Sequence, residues 1–433
     1  MLKQNDHLET ILSLLKTCGA DGWEVSDTVT EGWEFYLIRH ALDQNRARLT
    51  EHIRLKLYKL SEDGKMGSAE GEIPPTVTEE EAKALIQRYL SQASYVKNPP
   101  YTLVPPSAQT SEAAPERPDP AAIAQGFLTV LATLPENEET LLNSAEIFVD
   151  AVTRRFVNSR GVDVTSVYPA SMLEAVINAR HGEREIELYR MFRSGTCDAA
   201  ALKHDLEEAF RFGRDRLQTV PTPKLMTCDL VLSTSDALEV YAFFVNRMNA
   251  ASIYQGISDW TVGSDIMKEA AGDRLTLQCV KTLPNSSKNA AYDPEGARVR
   301  DLTIIRDGVA EQILGRRQFC EYLKVENSFL PQNFAVSGGS SDDLYGGTCL
   351  EVVEFSDFQV NAMTGDLAGE IRLGYLYQDG KKTIVSGGSV SGNMLSLCKN
   401  MRMSKTQRQY DFALIPAVTR LQGVSVAGIA EVK

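Results

Sequence analysis

A metal centre or nucleophilic site in this chain would draw mainly on histidine and cysteine. Imidazole and thiolate are the usual zinc ligands, and they act as acid–base groups or nucleophiles near neutral pH. The sequence offers few of either. Five histidines stand at 7, 40, 52, 181 and 204, no two at the spacing of a ligand pair on one helix, and none lies beyond 204. Seven cysteines (18, 197, 228, 279, 320, 349, 398) are scattered singly, so no Cys-x-x-Cys knuckle exists. A zinc site would need distant single ligands to converge. Phosphate-cradling loops are also missing: neither G-x-x-x-x-G-K-[ST] nor G-x-G-x-x-G occurs. The glycine pairs Gly338-Gly339, Gly346-Gly347 and Gly387-Gly388 predict tight turns or bulges, with a backbone-lined ligand groove as the second reading. Ser396-Leu397-Cys398-Lys399 matches S-x-x-K and Ser391-Gly392-Asn393 resembles S-x-N. The two are crowded together in the wrong order for a penicillin-recognising enzyme, and no K-T-G follows. Asp342-Asp343 reads as a solvated loop and His181-Gly182 as a strand-to-strand turn.

The elements that would position these residues can be read from periodicity. Leu8, Ile11, Leu12 and Leu15 form a helical stripe ended by Gly19. Trp23 to Lys59 is strand-rich, Asp63-Gly64 marks a hairpin turn, and a charged helix is predicted from Thr78 to Ala93. Seven prolines between Lys97 and Pro120 predict an extended connector. Beyond it come a helix from Pro120, paired strands at Met172–Ile177 and Glu185–Tyr189, and a helix over Ala199–Leu217. A short strand at Cys228–Leu232 then feeds a helix carrying Leu238, Tyr241, Val245 and Met248. After about residue 270 short β-type runs alternate with glycine turns, examples being Leu275–Val280, Leu350–Phe355 and Ala413–Ala417. The expected fold class is α+β: an N-terminal α/β lobe with a mixed sheet and helices, then a β-rich sandwich or barrel-like lobe. The divisions expected are 1–96, the Pro-rich connector 97–120, a segment 121–225 packing with the N-terminal lobe, and a C-terminal domain 226–433.

Bulk properties narrow the function classes. A chain of 433 residues exceeds the size of one ordinary core, and 43% hydrophobic with 24% charged residues is a globular composition. The net charge of −13 repels phosphate backbones and no basic run offsets it, so no nucleic-acid partner is expected. No apolar run approaches the roughly 20 residues that span a bilayer, and the polar N-terminus has no signal core. Single, odd-numbered cysteines suit reduced thiols, and a cytoplasmic location is expected.

Several segments, taken in order, resemble the TldD/PmbA family. Phe156-Val157-Asn158-Ser159-Arg160-Gly161-Val162 is similar to its Asn-Ser-x-Gly strand end. Gly256-Ile257-Ser258 and Val262-Gly263 resemble the segment after its central helix. Asp293-Pro294-Glu295-Gly296 resembles its Asp-x-Glu-Gly turn, followed by a strand and a hairpin at Asp307-Gly308. Val385 to Asn393 and Leu421 to Gly428 resemble its last strands. The likeness covers nearly the whole chain and is clearest over 150–433.

In the TldD branch, the resemblance implies a peptidase whose central helix carries H-E-x-x-x-H, with a cysteine near the C-terminus as third ligand. Counting back from Ser258 places that motif on Tyr241-Ala242-Phe243-Phe244-Val245-Asn246. Tyr241, Ala242 and Asn246 would then stand where the family has histidine, glutamate and histidine, and Met403-Ser404-Lys405 carries no cysteine where one is expected. Cys398 is nearby but misplaced by several residues. This is the state of the TldE (PmbA) branch, which implies a metal-free, cofactor-free subunit that pairs with a TldD-like metallopeptidase and helps hold extended or unfolded peptide across the interface. An older family label, modulator of DNA gyrase, reflects a genetic association. Asp293, Glu295, Gly296, Gly387 and Gly388 are the expected peptide-groove positions. Tyr241 and Asn246 either line the cavity opposite a partner's metal or, with Leu238, Val245 and Met248, belong to the core. Two other readings stand beside this one: a divergent hydrolase with rearranged ligands such as Cys398, Asp293 and Glu295, and a stand-alone peptide-binding homodimer.

Overall fold

The computed structural model describes residues 4–107 and 116–429; residues 108–115 of the Pro-rich stretch lie outside the described residues. Helix α1 (Gln4–Thr17) leads into β1 (Gly22–Ile38), β2 (Ala41–Leu60), β3 (Met66–Ile73) and α2 (Glu79–Ala93). Then come α3 (Pro120–Leu131), β4 (Thr140–Asn158), β5 (Asp163–His181), β6 (Arg184–Ser194) and α4 (Ala199–Leu217). The C-terminal part runs β7 (Val220–Pro221), β8 (Leu225–Leu232), α5 (Ala237–Arg247), α6 (Ala250–Tyr254), β9 (Leu277–Val280), β10 (Leu302–Arg306) and β11 (Val309–Ala310). It continues through α7 (Arg317–Leu323), β12 (Asn333–Val336), β13 (Cys349–Val360), β14 (Asp366–Gln378), β15 (Lys381–Ser386), β16 (Ser389–Asn393) and α8 (Met394–Leu397). It ends with β17 (Arg402–Met403), β18 (Gln407–Tyr410), β19 (Ala413–Pro416) and β20 (Thr419–Ala427). No helix among the described residues is long and apolar enough to cross a membrane.

Local sequence explains the outer elements. Thr78 caps α2 in a reciprocal box: the Glu81 N–H donates to Thr78 Oγ1 (3.3 Å) and the Thr78 N–H to Glu81 Oε2 (2.8 Å). Such a cap contributes about 0.5–2 kcal/mol. Asp307 and Gly308 both take positive φ (47° and 70°) between β10 and β11, and His181-Gly182 turns β5 into β6 with Gly182 at +60°.

The first sheet has the order β3-β2-β1-β4-β5-β6. Its pairings are antiparallel throughout, which corrects the mixed sheet expected of the N-terminal lobe. Hairpins join β1 to β2, β2 to β3, β4 to β5 and β5 to β6, and a hairpin can only return antiparallel. The parallel pairings lie in the C-terminal part, β13 with β8 and β12 with β19 among them. There one sheet runs β11-β10-β9-β12-β19-β18, and another, β13-β8-β20-β16-β14, closes into a barrel through the β13–β14 pairing.

Strand alternation divides the first sheet into two unlike faces. Val25, Ile53, Leu55 and Leu57 pack under α1 and α2; Ile147, Val149, Leu173 and Ile177 pack under α3 and α4. The register pairs Val25 with Leu55 and Val157, and Phe35 with Ile147, so all four helices share one face. Each of these large side chains gains roughly 1.5–3 kcal/mol on burial. The opposite face carries Glu24, Ser26, His52, Arg54, Lys56 and Arg154 and looks toward the C-terminal part. A continuous core and several polar contacts join the two parts. Val353, Leu373 and Tyr375 of the barrel enter the α3–α4 core, Tyr375 Oη donates to Asp215 (2.5 Å), and Arg216 meets Glu354 (3.2 Å).

The proline-rich segment is tied down where it is described. Met66 and Asn98 exchange backbone hydrogen bonds (2.9 and 3.0 Å), and the Thr102 N–H donates to Glu321 of α7 (2.7 Å). Asn158, only 2% exposed, closes this region: its Nδ2 donates to the Val104 carbonyl (2.8 Å), and its Oδ1 accepts from the Arg160 and Val162 N–H groups (3.0 and 3.1 Å). Asn158→Ala leaves those buried groups unpaired and is expected to cost about 1–3 kcal/mol. Urea unfolding measures it, and an unchanged midpoint would show that Asn158 has no such structural role.

Candidate functional site

Helix α5 follows β8 through the turn Ser233–Asp236 and buries Ala237, Val240, Tyr241, Phe243, Phe244 and Arg247. Tyr241 has no exposed surface. Its hydroxyl lies 2.6 Å from Thr419 Oγ1, and Thr419 pairs with Met403 across β20 and β17. The fold therefore does bring the helix position and the 403–405 segment together. What meets there is a packed, hydrogen-bonded core: Met403 is buried, and the Ser404 hydroxyl donates to the Thr406 carbonyl (2.7 Å) while accepting from the Val418 N–H (2.9 Å). The placement of Tyr241 is the core one, not the cavity-lining one. Asn246 is exposed on the same helix and Ala242 is half-buried.

The neighbouring Arg247 was not singled out in the sequence, although it falls on the apolar stripe of α5, where a cation needs a reason. It is 3% exposed, lies 4.7 Å over the Trp260 ring, and donates to the carbonyls of Ala362 (2.9 Å) and Met363 (3.1 Å) and to Asp259. Arg247 thus locks two loops beside Asn246.

The rearranged ligand set Cys398, Asp293 and Glu295 is not assembled. Among the described residues, no three His, Cys, Asp or Glu side chains gather in a way that could hold a metal ion. Cys398 is buried, its thiol pushed up to about 11 by desolvation and pointed at the Leu395 carbonyl. Asp293 is 1% exposed and organises its own turn: it accepts from the N–H groups of Glu295 (2.8 Å), Ala297 (2.9 Å) and Leu330 (2.8 Å). Burial nevertheless raises its carboxyl to about 6. Gly296 at φ +77° closes the turn, and a Cβ there would sit 2.5 Å from the Phe156 ring.

Glu295 alone of that turn's predicted residues presents a functional group to open space. It faces a cleft of about 740 Å³ between the polar face of the first sheet and the C-terminal part. Its carboxylate accepts from the Arg317 N–H (2.9 Å) and lies 3.7 Å from Arg316 Nη1. Across the cleft, Glu24 accepts from Tyr58 Oη (2.7 Å), which in turn accepts from Tyr101 Oη (3.0 Å). Desolvation first, and then the charge of Glu295, push the Glu24 carboxyl up to about 7. Lys56 and Arg154 border the same space, Arg154 donating to Ser26 Oγ (2.9 Å) and to the Pro294 carbonyl (2.6 Å). The alternation of Ile53-Arg54-Leu55-Lys56-Leu57 signals which residues of β2 share this face; nothing local signals that Glu295 meets it.

Gly387 and Gly388 lie elsewhere. They line a separate depression of about 440 Å³ with Ser356, Glu370 and Arg372. The Gly387 N–H donates to the Ile371 carbonyl (2.8 Å), and the Gly388 carbonyl accepts from the Ile371 N–H (3.0 Å). Those two backbone groups are already paired within the fold.

Comparison with known proteins adds to this geometry. Residues 226–428 match the family described as the PmbA/TldA metallopeptidase C-terminal domain. TldE from Thermococcus kodakarensis has a similar structure, with TM-score 0.77 and 16% identity over 97% of this chain and 100% of that one. A protein from Bacteroides thetaiotaomicron described as a modulator of DNA gyrase superposes with TM-score 0.78 and 19% identity, covering 98% of each chain. One from Thermotoga maritima with the same kind of description gives 0.76 and 15%, covering 97% and 99%. At these identities the solved structures establish a shared fold. No curated protein matches the sequence.

Glu24 yields a pH test. Its folded carboxyl titrates near 7 against an ordinary 4.5, so the folded state holds this proton more tightly than the unfolded state. Stability from this group is present at low pH and is lost as pH rises from about 4.5 through 7. Glu24→Gln is expected to flatten that part of the stability profile. Thermal midpoints of both proteins between pH 4.5 and 8 read it, and parallel profiles would refute the assignment.

Proposed function

Through residues 226–428 this chain belongs to the PmbA/TldD family, and from that premise we propose that it is the metal-free subunit of a TldD-type peptidase. The carrying observation is α5. Metal-dependent peptide hydrolysis needs imidazole and carboxylate around an ion with one open position for water. Here the helix offers a fully buried tyrosine hydrogen-bonded to Thr419, a half-buried alanine and an exposed asparagine. Phenol, methyl and carboxamide groups neither bind zinc well nor deprotonate a water.

The partner of such a subunit is a TldD-like chain that carries H-E-x-x-x-H. The contribution of this chain is then to complete the chamber and to hold extended or unfolded peptide across the interface between subunits. Asn246 is the one of the three positions exposed on α5, beside loops that Arg247 holds rigid, and it supports a lining role toward the partner. Peptide held by backbone hydrogen bonds needs little side-chain specificity, which suits unfolded segments.

Purified alone, the chain is expected to bind no stoichiometric zinc and to cleave no peptide. Mixed with a TldD-type partner, it is expected to form a stable complex whose peptidase activity exceeds that of the partner alone. Metal analysis with size-exclusion chromatography and a peptide-cleavage assay checks all of these. Stoichiometric zinc with activity in isolation would overturn the proposal. A stable homodimer that ignores the TldD-type chain would favour a stand-alone peptide-binding protein.

A further inference from the structure

We propose that the cleft between the polar face of the first sheet and the Asp293–Gly296 turn, which Arg54 and Arg316 both border, is a binding site for the C-terminal carboxylate of a short peptide, with Arg316 as its charged contact. The choice of a peptide ligand rests on the function proposed above; the site itself stands on its own geometry.

The space, about 740 Å³, falls within the range of small-ligand pockets. Two of its cations are only loosely engaged. Arg316 reaches Glu295 at 3.7 Å with half its side chain exposed, and Arg54 reaches Glu72 at 3.8 Å with 75% exposed. Both acceptors already have closer partners: the Arg317 N–H binds Glu295 at 2.9 Å, and His52 binds Glu72 at 2.7 Å. The other cations are held by the fold, Lys56 by Glu70 (3.0 Å) and Arg154 by Ser26 and the Pro294 carbonyl. One arginine comes from the sheet and the other from the segment before α7, so both parts of the chain contribute a cation to the cleft. Phe156 and Pro294 supply apolar surface beside it.

The chemistry selects the ligand. A primary amine would meet these arginines and Lys56. A phosphate dianion would meet Glu70, Glu72 and Glu295, all of which border the cleft. A single carboxylate, with half the charge of a phosphate dianion, meets less repulsion from those acids while it can still pair with an arginine, and the hydroxyl of Ser26 lies within the same space. Glu24 adds a pH response. It faces Lys56 and Tyr58 from β2, Arg154 from β4, Glu70 from β3, Asp293 and Glu295 from the turn, and Arg316. With its carboxyl raised to about 7, it is a hydrogen-bond donor below that pH and a further negative charge above it. Carboxylate binding should therefore weaken as pH rises through 7.

The test titrates N-acetyl-trialanine and its C-terminal amide into the full chain alone, by calorimetry at pH 6 and pH 8.5. The acid is expected to bind at least about tenfold more tightly than the amide at pH 6, the effect of one charge-assisted contact. Arg316→Gln should lower affinity for the acid about tenfold with an unchanged circular-dichroism spectrum. Glu24→Gln should retain binding at pH 6 and remove most of the loss at pH 8.5. Equal affinity for acid and amide, no binding of the acid by folded protein at pH 6, or an unaffected Arg316→Gln variant each overturns the site. Tighter binding of inorganic phosphate than of the acid overturns the ligand assignment. Because no peptidase partner is present, failure here leaves the pairing proposal standing, and failure of pairing leaves this measurement standing.

Discussion

The antiparallel pairing of β1 with β4 is the constraint on which the remaining structure depends. It runs from Glu24 opposite Asn158 to Ile38 opposite Ser144, and joins strands separated in sequence by two further strands, two helices and the proline-rich segment. Because side chains alternate with a period of two, this register fixes which faces of β1 and β4 lie together, and so joins the β1–β3 and β4–β6 hairpin sets into one sheet with one apolar face. A slip of β4 by one residue would turn Ile147 to the polar side and Arg154 into the core while Val25 and Glu24 stayed where they are. Four helices cover the apolar face, so the charged face is left to meet the C-terminal part.

That arrangement accounts for the concentration of unusual carboxyls along the junction. Glu24 and Asp293 are both displaced upward, in each case mainly by desolvation. Their neutralisation is the alternative to a costlier buried charge. Asp293 offsets part of this with three backbone N–H donors and has a plain structural role in its turn. Glu24 has one tyrosine donor and an open cleft before it. Similar shifts thus belong to different situations, and the hydrogen-bond inventory separates them.

On α5 the same physics works in the other direction. A metal site needs polar ligands held in a partly open pocket, whereas Tyr241, Phe243 and Phe244 fill their space with Trp260 edge-on to Phe243. The buried polar group of this helix besides the Tyr241 hydroxyl is Arg247, whose guanidinium ties loop carbonyls together.

The sequence by itself determined the local chemistry: the scarcity of histidine, the single cysteines, the tyrosine, alanine and asparagine of the central helix, the start of the charged helix at Thr78 and the turn at Asp307-Gly308. These follow from residue type and short-range periodicity, which need no knowledge of distant partners. It also carried the alternation of Arg54 with Leu55 and of Lys56 with Leu57, hence which residues of that strand share a face. Only the tertiary structure decided what that face confronts. Glu295 and Arg316 reach it through a turn far along the chain, Gly387 and Gly388 go to a different surface, and Cys398 points into the core. Such meetings depend on the closure of long loops and on sheet register, properties of the whole chain that no local pattern encodes.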